Sequence, residues 1–140
     1  MHIKIKKLHK DAVIPTYAKP GDAGLDLVVT EVIGESMKEI TYGFGLALEI
    51  PEGYVGLVFP RSSIRRTDLA LSNAVGVIDS GYRGEIQATF KKLEDYPNLY
   101  RIGDRAAQII IMPIPNITFD QVAELSSTDR GEGSFGSSGN

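Results

Sequence analysis

The chain has 140 residues, a length that suits one domain with a buried core, and its hydrophobic fraction of 42% excludes wholesale disorder. A net charge of −3 and the lack of cysteine argue against broad electrostatic binding to nucleic acid, a disulfide framework and a thiolate metal site. No apolar run approaches the length of a membrane span, and the N-terminal MHIKIKKLHK lacks the continuous apolar centre of a secretion signal, so the expected location is cytoplasmic.

In chain order, HIKIKKL alternates apolar and basic residues with period two and predicts an edge or half-buried strand. His2 and His9, in and beside it, have no carboxylate or histidine partner at ligand spacing and read as surface residues. GLDLVVT, LALEI, YVGLVF, NAVGVI, GEIQATFKK and RAAQIIIMPI are further strand candidates. Turn chemistry at Pro51-Glu52-Gly53, at Ser80-Gly81 and from Pro113 to Pro115 separates them. SSIRRTD has room for a turn or two of helix, and no longer window carries a helical period. Many short strands with frequent turns predict an all-β fold with little helix, a β-sandwich or barrel of the jelly-roll kind. Composition shifts near Ser126, which predicts a domain over 1–125 and a mobile Gly/Ser-rich arm over 126–140.

Five segments carry chemistry. AGLDL places Asp26 in a strand, where a charge needs a partner. PRSS puts Arg61, Ser62 and Ser63 at a strand end ahead of the short helical stretch, a favoured place for phosphate. NAVGVIDSGYRGEI reads as strand, tight turn and strand, a β-hairpin with Asp79 and Tyr82 at its tip. GDRAAQI carries Asp104, Arg105 and Gln108. RGEGSFGSSG fits G-x-G-x-x-G from Gly131 to Gly136, but no helix follows and the chain shows no βαβ alternation, so the dinucleotide reading is discarded. Its bare amides, the Arg130 guanidinium and the Ser137 and Ser138 hydroxyls still suit phosphate, and Phe135 offers a face for a base. Taken singly, each segment also has an ordinary structural role: Asp26 capping a turn, Arg61 in a surface ion pair, Asp79 satisfying its own turn.

In this order and at this spacing, the five segments resemble the five motifs of the homotrimeric dUTP pyrophosphatases (dUTPases), over about residues 12–139. The resemblance implies a jelly roll that assembles as a threefold trimer, with active sites shared between subunits and the C-terminal arm closing over one of them. It implies hydrolysis of dUTP to dUMP and pyrophosphate, which keeps uracil out of DNA and supplies dUMP for thymidylate synthesis. Asp79 matches the carboxylate that deprotonates the attacking water. The stretch from Asn73 through Val77 and Ile78 matches the uracil pocket, and Tyr82 the ring under the deoxyribose that leaves no room for a 2′-hydroxyl. Arg61, Ser62, Ser63 and Gln108 match groups that position phosphate oxygens. Arg130, Gly136, Ser137 and Ser138 match those that close on the γ-phosphate, with Phe135 over the uracil. Mg²⁺ is implied on the triphosphate oxygens, with Asp26 as an outer-shell anchor through water.

Two departures stand out: Ser63 and Ser134 occupy positions where the family commonly has glycine. They bear on rate and arm closure rather than on reaction class. Val75, Val77 and Ile78, or QIIIMPI, belong either to a trimer axis or to the core of one subunit. Two rivals are a dCTP deaminase of the same superfamily and a non-catalytic nucleotide-binding regulator on this fold. Tyr82 with the Phe135 arm argues against the first, and Asp79 with the arm against the second.

Overall fold

The structure is a computed structural model that describes residues 1–134. Its elements are β1 (Lys4–Lys7), β2 (Leu25–Val28), β3 (Glu31–Glu35), β4 (Glu39–Gly43), β5 (Leu46–Glu49), β6 (Tyr54–Pro60), a 3-10 helix (Ser62–Arg66), β7 (Leu69–Leu71), β8 (Gly76–Ile78), β9 (Gln87–Lys92) and β10 (Arg105–Pro113). The strands form a β1–β5 pair and two four-stranded sheets, ordered β2-β10-β6-β8 and β3-β4-β9-β7. Every pairing is antiparallel. The fold is the expected all-β, jelly-roll-like architecture with almost no helix.

Strand sequence explains strand position. β10 carries the apolar run AAQIII and sits inside its sheet between β2 and β6. Pro113 and Pro60, which cannot donate to a ladder, lie at the ends of β10 and β6. In β2 the alternation Leu-Asp-Leu-Val buries Leu27 and turns Asp26 to the opposite face. Leu27, Val58 and Ile109 from one sheet join Ile40, Tyr42, Ala88 and Phe90 from the other in a single core.

Three strands were not foreseen: β3, β4 and β7. β3 is exposed along its whole length, so no apolar alternation marks it, and β7 has only three residues. The NAVGVI strand is shortened. Ala74 sits at φ 59° and Val75 N–H donates to Asn73 O, so the chain turns and extends only from Gly76. The predicted hairpin does not form. β8 pairs with β6, whereas β9 pairs with β4 and β7, so residues 79–86 cross between sheets. The cause is Ile86. It is fully buried, its N–H donates to Leu46 O, and its carbonyl accepts from Phe44 N–H. After Pro113 the described residues form no further strand; Ile114 N–H donates to Gly53 O at the start of that segment.

An aromatic trio centres the core. Tyr42, Phe90 and Tyr100 meet edge to face with centroids 5.8–6.1 Å apart. The fully buried Tyr42 donates its hydroxyl proton to Tyr100 O at 3.0 Å. Burial, the largest cause, pushes its phenol up to about 12 from 10.0. The folded state therefore holds this proton more tightly than the unfolded chain does. That contribution is complete below pH 10 and is lost as pH rises through about 12. Urea midpoints measured across this window should fall, by up to ~1.4 kcal/mol of stability per pH unit from this group, and the fall should be shallower in Tyr42→Phe. Equal slopes in the two proteins would refute the assignment.

Candidate active site

The most organised polar cluster joins β2, β10 and the end of β6. The ladders place Gln108 directly opposite Asp26 on one side and Phe59 on the other. Asp26 Oδ1 accepts from Arg61 Nε at 2.5 Å, and Oδ2 accepts from Arg105 Nη1 at 3.2 Å. Arg61 Nη1 also donates to Ser63 Oγ at 3.3 Å and to Arg105 O at 3.4 Å. The Asp26 side chain is only 18% exposed, so its charge is stabilised by this pairing rather than by water.

A bulge makes the cluster possible. Arg105 pairs with Val28 and Ala107 with Leu27, which leaves Ala106 as an extra residue. In a regular strand Arg105 would share the core-facing side of Ala107; the extra residue turns it to the Asp26 side.

Beside the cluster lies a cavity of about 430 Å³ lined by Asp22, Gly24, Asp26, Arg61, Ser62 and Gln108, among others. Two guanidinium charges against the Asp26 carboxylate leave one positive charge in the cluster. Asp22 is directed elsewhere in part, accepting from Lys19 N–H at 2.9 Å. Gln108 is held by Nε2 donating to Pro60 O at 3.1 Å. Its side chain lies so close to Gly24 that a Cβ there would come within 2.2 Å of Oε1. Guanidinium, hydroxyl and amide donors around an open cavity suit anionic oxygens. The five-residue 3-10 helix after Arg61 is too short to add much dipole, so the positive character of the cavity comes from these side chains.

A second cavity, of about 350 Å³, is lined by Val58, Leu71, Ser72, Asn73, Gly76 and Gln87, among others. Val77 is 62% exposed and Ile78 half-buried on β8, opposite Leu57 and Gly56 of β6. Asp79 follows β8 and is exposed; its carbonyl accepts from Tyr82 N–H at 3.0 Å. Tyr82 donates its hydroxyl proton to Glu85 O at 3.0 Å, with its ring over Gly84, where any Cβ would collide with it. Arg83 Nη1 donates to Ser80 O at 2.6 Å and to Tyr82 O at 2.9 Å. The turn that carries Asp79 and Tyr82 is thus braced by its own residues.

Of the residues singled out in the sequence, Asp26, Arg61, Ser62 and Gln108 meet at one cavity, and Ser63 touches them through Arg61. Asn73 lines the other cavity, and Asp79 lines neither. Arg130 is exposed and donates through Nε to Gly133 O at 3.0 Å. Phe135, Gly136, Ser137 and Ser138 lie outside the described residues. Sequence reasoning gave no role to Arg105, Gly24 or Gln87. Among the described residues no group of three or more His, Asp or Glu side chains could hold a metal ion. Asp26 keeps lone pairs beyond the two taken by guanidinium groups, which would let it accept from the water shell of a cation. No helix of the described residues is long and apolar enough to cross a membrane.

Comparison with known proteins agrees with this fold. A dUTPase family model matches residues 10–139. A deoxyuridine 5′-triphosphate nucleotidohydrolase of Clostridium kluyveri is 40% identical over 141 residues, covering 99% of each chain. The dUTPase of Staphylococcus bacteriophage 80alpha, solved with dUpNHpp, superposes with a TM-score of 0.83 at 31% identity, covering 99% of each chain. A dUTPase of phage phi11 of S. aureus, described with a structural Mg(II) ion, gives a TM-score of 0.77 at 26% identity over 91% of this chain and 100% of that one.

Proposed function

The chain belongs to the dUTPase family, and we propose that it hydrolyses dUTP to dUMP and pyrophosphate with Asp79 as the base for the attacking water. The observation that carries the reading is the cluster of Asp26, Arg61 and Arg105 beside Ser62 and Gln108, a donor set for phosphate oxygens next to an open cavity. Arg61, Ser62, Ser63 and Gln108 hold the triphosphate. A cation about 4 Å from a phosphate charge contributes ~4 kcal/mol at an effective dielectric near 20, so a few such contacts outweigh the mild negative charge of the chain. Asn73, with Val77 and Ile78, meets the uracil, and Tyr82 packs under the deoxyribose.

Asp79 accepts a proton from water as its oxygen attacks the α-phosphorus. The bond from that phosphorus to the bridging oxygen breaks, and pyrophosphate leaves. Mg²⁺ bound to the triphosphate oxygens would neutralise charge and favour departure of pyrophosphate. Asp26 would accept hydrogen bonds from the waters of that ion through the lone pairs its guanidinium partners leave. Arg130, Gly136, Ser137 and Ser138 close on the γ-phosphate, and Phe135 covers the base.

The reading includes a homotrimer with shared sites, as the family resemblance implies. Two features of the single chain support association. The groups assigned to phosphate and to nucleoside line separate cavities, and Asp79 lines neither. The segment after β10 also leaves Ile117, Phe119, Val122 and Leu125 exposed, Phe119 at 94%.

The test is pyrophosphate release with Mg²⁺ from dUTP, dTTP, dCTP and UTP. Release from dUTP alone is expected, because a site built on hydrogen bonds to the base discriminates by about 10⁴–10⁵. Tight dUTP binding without turnover would favour a regulator, and ammonia from dCTP a deaminase.

A further inference from the structure

The crossover from Asp79 to Ile86 is fastened to the body of the protein at one corner, the bend between β4 and β5. There Gly45 lies at φ +63°, and its N–H has no strand partner. Glu85 Oε1 accepts that N–H at 2.7 Å across 40 residues of sequence. Gly43 makes room for the carboxylate, and Gly45 for the segment that packs on the bend. A Cβ on Gly43 would come within 2.6 Å of Glu85 Oε1, and one on Gly45 within 2.7 Å of His9 Cβ. The carboxylate has no ion-pair partner among the described residues, so its anchor is this amide.

The same residue holds the other end of the linkage. Glu85 O accepts the Tyr82 hydroxyl at 3.0 Å, and Tyr82 N–H donates to Asp79 O at 3.0 Å. A continuous path therefore runs from the β4–β5 bend through the Glu85 side chain and carbonyl to the Tyr82 ring and on to Asp79. The backbone bonds of Ile86 to Phe44 and Leu46 fix the crossover's exit and β8 fixes its entry at Ile78; between them, among the described residues, the Glu85 carboxylate supplies the hydrogen bond to the body.

We infer that Glu85 is a positioning residue, which sets the Tyr82 ring and, through it, Asp79 by tying the crossover to the Gly45 amide. The role rests on the assignment of Tyr82 to the sugar and Asp79 to the water given above. Its chemistry requires an acceptor at Oε1 and not a negative charge, so Glu85→Gln retains it and Glu85→Ala abolishes it.

The experiment measures kcat and KM for dUTP and UTP in the wild type, Glu85→Ala and Glu85→Gln, well below each protein's Tm. Misplacing a reacting group by about 1 Å costs about 10²-fold, so a partial release of the turn is expected to lower kcat/KM for dUTP about tenfold in Glu85→Ala and to narrow the dUTP/UTP preference. Glu85→Gln is expected to stay within about twofold of wild type on both, because its carbonyl oxygen still accepts the amide. Equal impairment of the two variants, or an unchanged dUTP/UTP preference in Glu85→Ala, overturns the inference. Hydrogen exchange of the Gly45 amide is read on the same proteins: protected in wild type and Glu85→Gln, fast in Glu85→Ala. That readout tests the tie independently of turnover, so a protein that failed to hydrolyse dUTP would refute the proposed function without deciding this one. Unchanged Gly45 exchange in Glu85→Ala also overturns it.

Discussion

Asp79→Asn is expected to lower kcat for dUTP by about 10²–10⁴-fold while leaving dUTP affinity within a few-fold of wild type. The substitution keeps the shape of the side chain and removes its capacity to take a proton. Little else should change, because Asp79 is exposed and its carboxylate forms no ion pair among the described residues. Its backbone carbonyl still takes the Tyr82 N–H, so the turn is preserved. Single-turnover pyrophosphate release, paired with calorimetric binding of a non-hydrolysable dUTP analogue, separates the two effects. Turnover near the wild-type level would mean that another group takes the proton and that Asp79 serves binding alone.

Asp26→Asn should be costly in a different way. Among the described residues, Asp26 is the sole carboxylate bonded to both Arg61 and Arg105. An asparagine offers one acceptor oxygen, and its NH₂ turns a donor toward one guanidinium. Full burial of such a broken pair costs about 3–5 kcal/mol; because the Arg105 side chain is 56% exposed, about 2–3 kcal/mol is the better expectation here. Arg61, released from its anchor, no longer presents its guanidinium beside Ser62 and Gln108, and kcat/KM should drop about 10²-fold. Denaturant unfolding and kinetics on one preparation check both figures. Wild-type stability with wild-type kcat/KM would show the cluster to be a surface ion pair of no consequence.

The sequence made legible what depends on apolar side chains and short motifs. β2, β6 and β10 announce themselves because Leu27, Val58 and Ile109 recur at the strand period and are buried. Asp26, Arg61, Ser62 and Gln108 could be singled out because each type is costly or unusual in a strand-rich context. β3 could not, since an edge strand facing solvent on both sides carries no apolar alternation. The misread hairpin has the same kind of cause. Period two and a turn say that two strands flank residues 79–86, but not which neighbours they pair with. That choice is made by Ile86, held between Phe44 and Leu46 far back in the chain. Arg105 was named in GDRAAQI, but its pairing with Asp26 could not be read there, because regular counting along β10 aims it at the core and only the additional residue at Ala106 reverses that direction.

That additional residue also sets which kinds of genetic change this strand can absorb. Replacing a side chain along β10 alters one position. Deleting the Ala106 codon leaves Arg105 next to Ala107 in a regular strand, still opposite Val28 and on the Asp26 side, so the ion pair survives that change. Adding or removing a codon within the regular ladder from Ala107 to Ile109 instead reverses the facing of every residue on one side of the change. The strand therefore tolerates a length change at the bulge and not in the regular ladder beside it, while Arg105 itself is held in identity by its bond to Asp26.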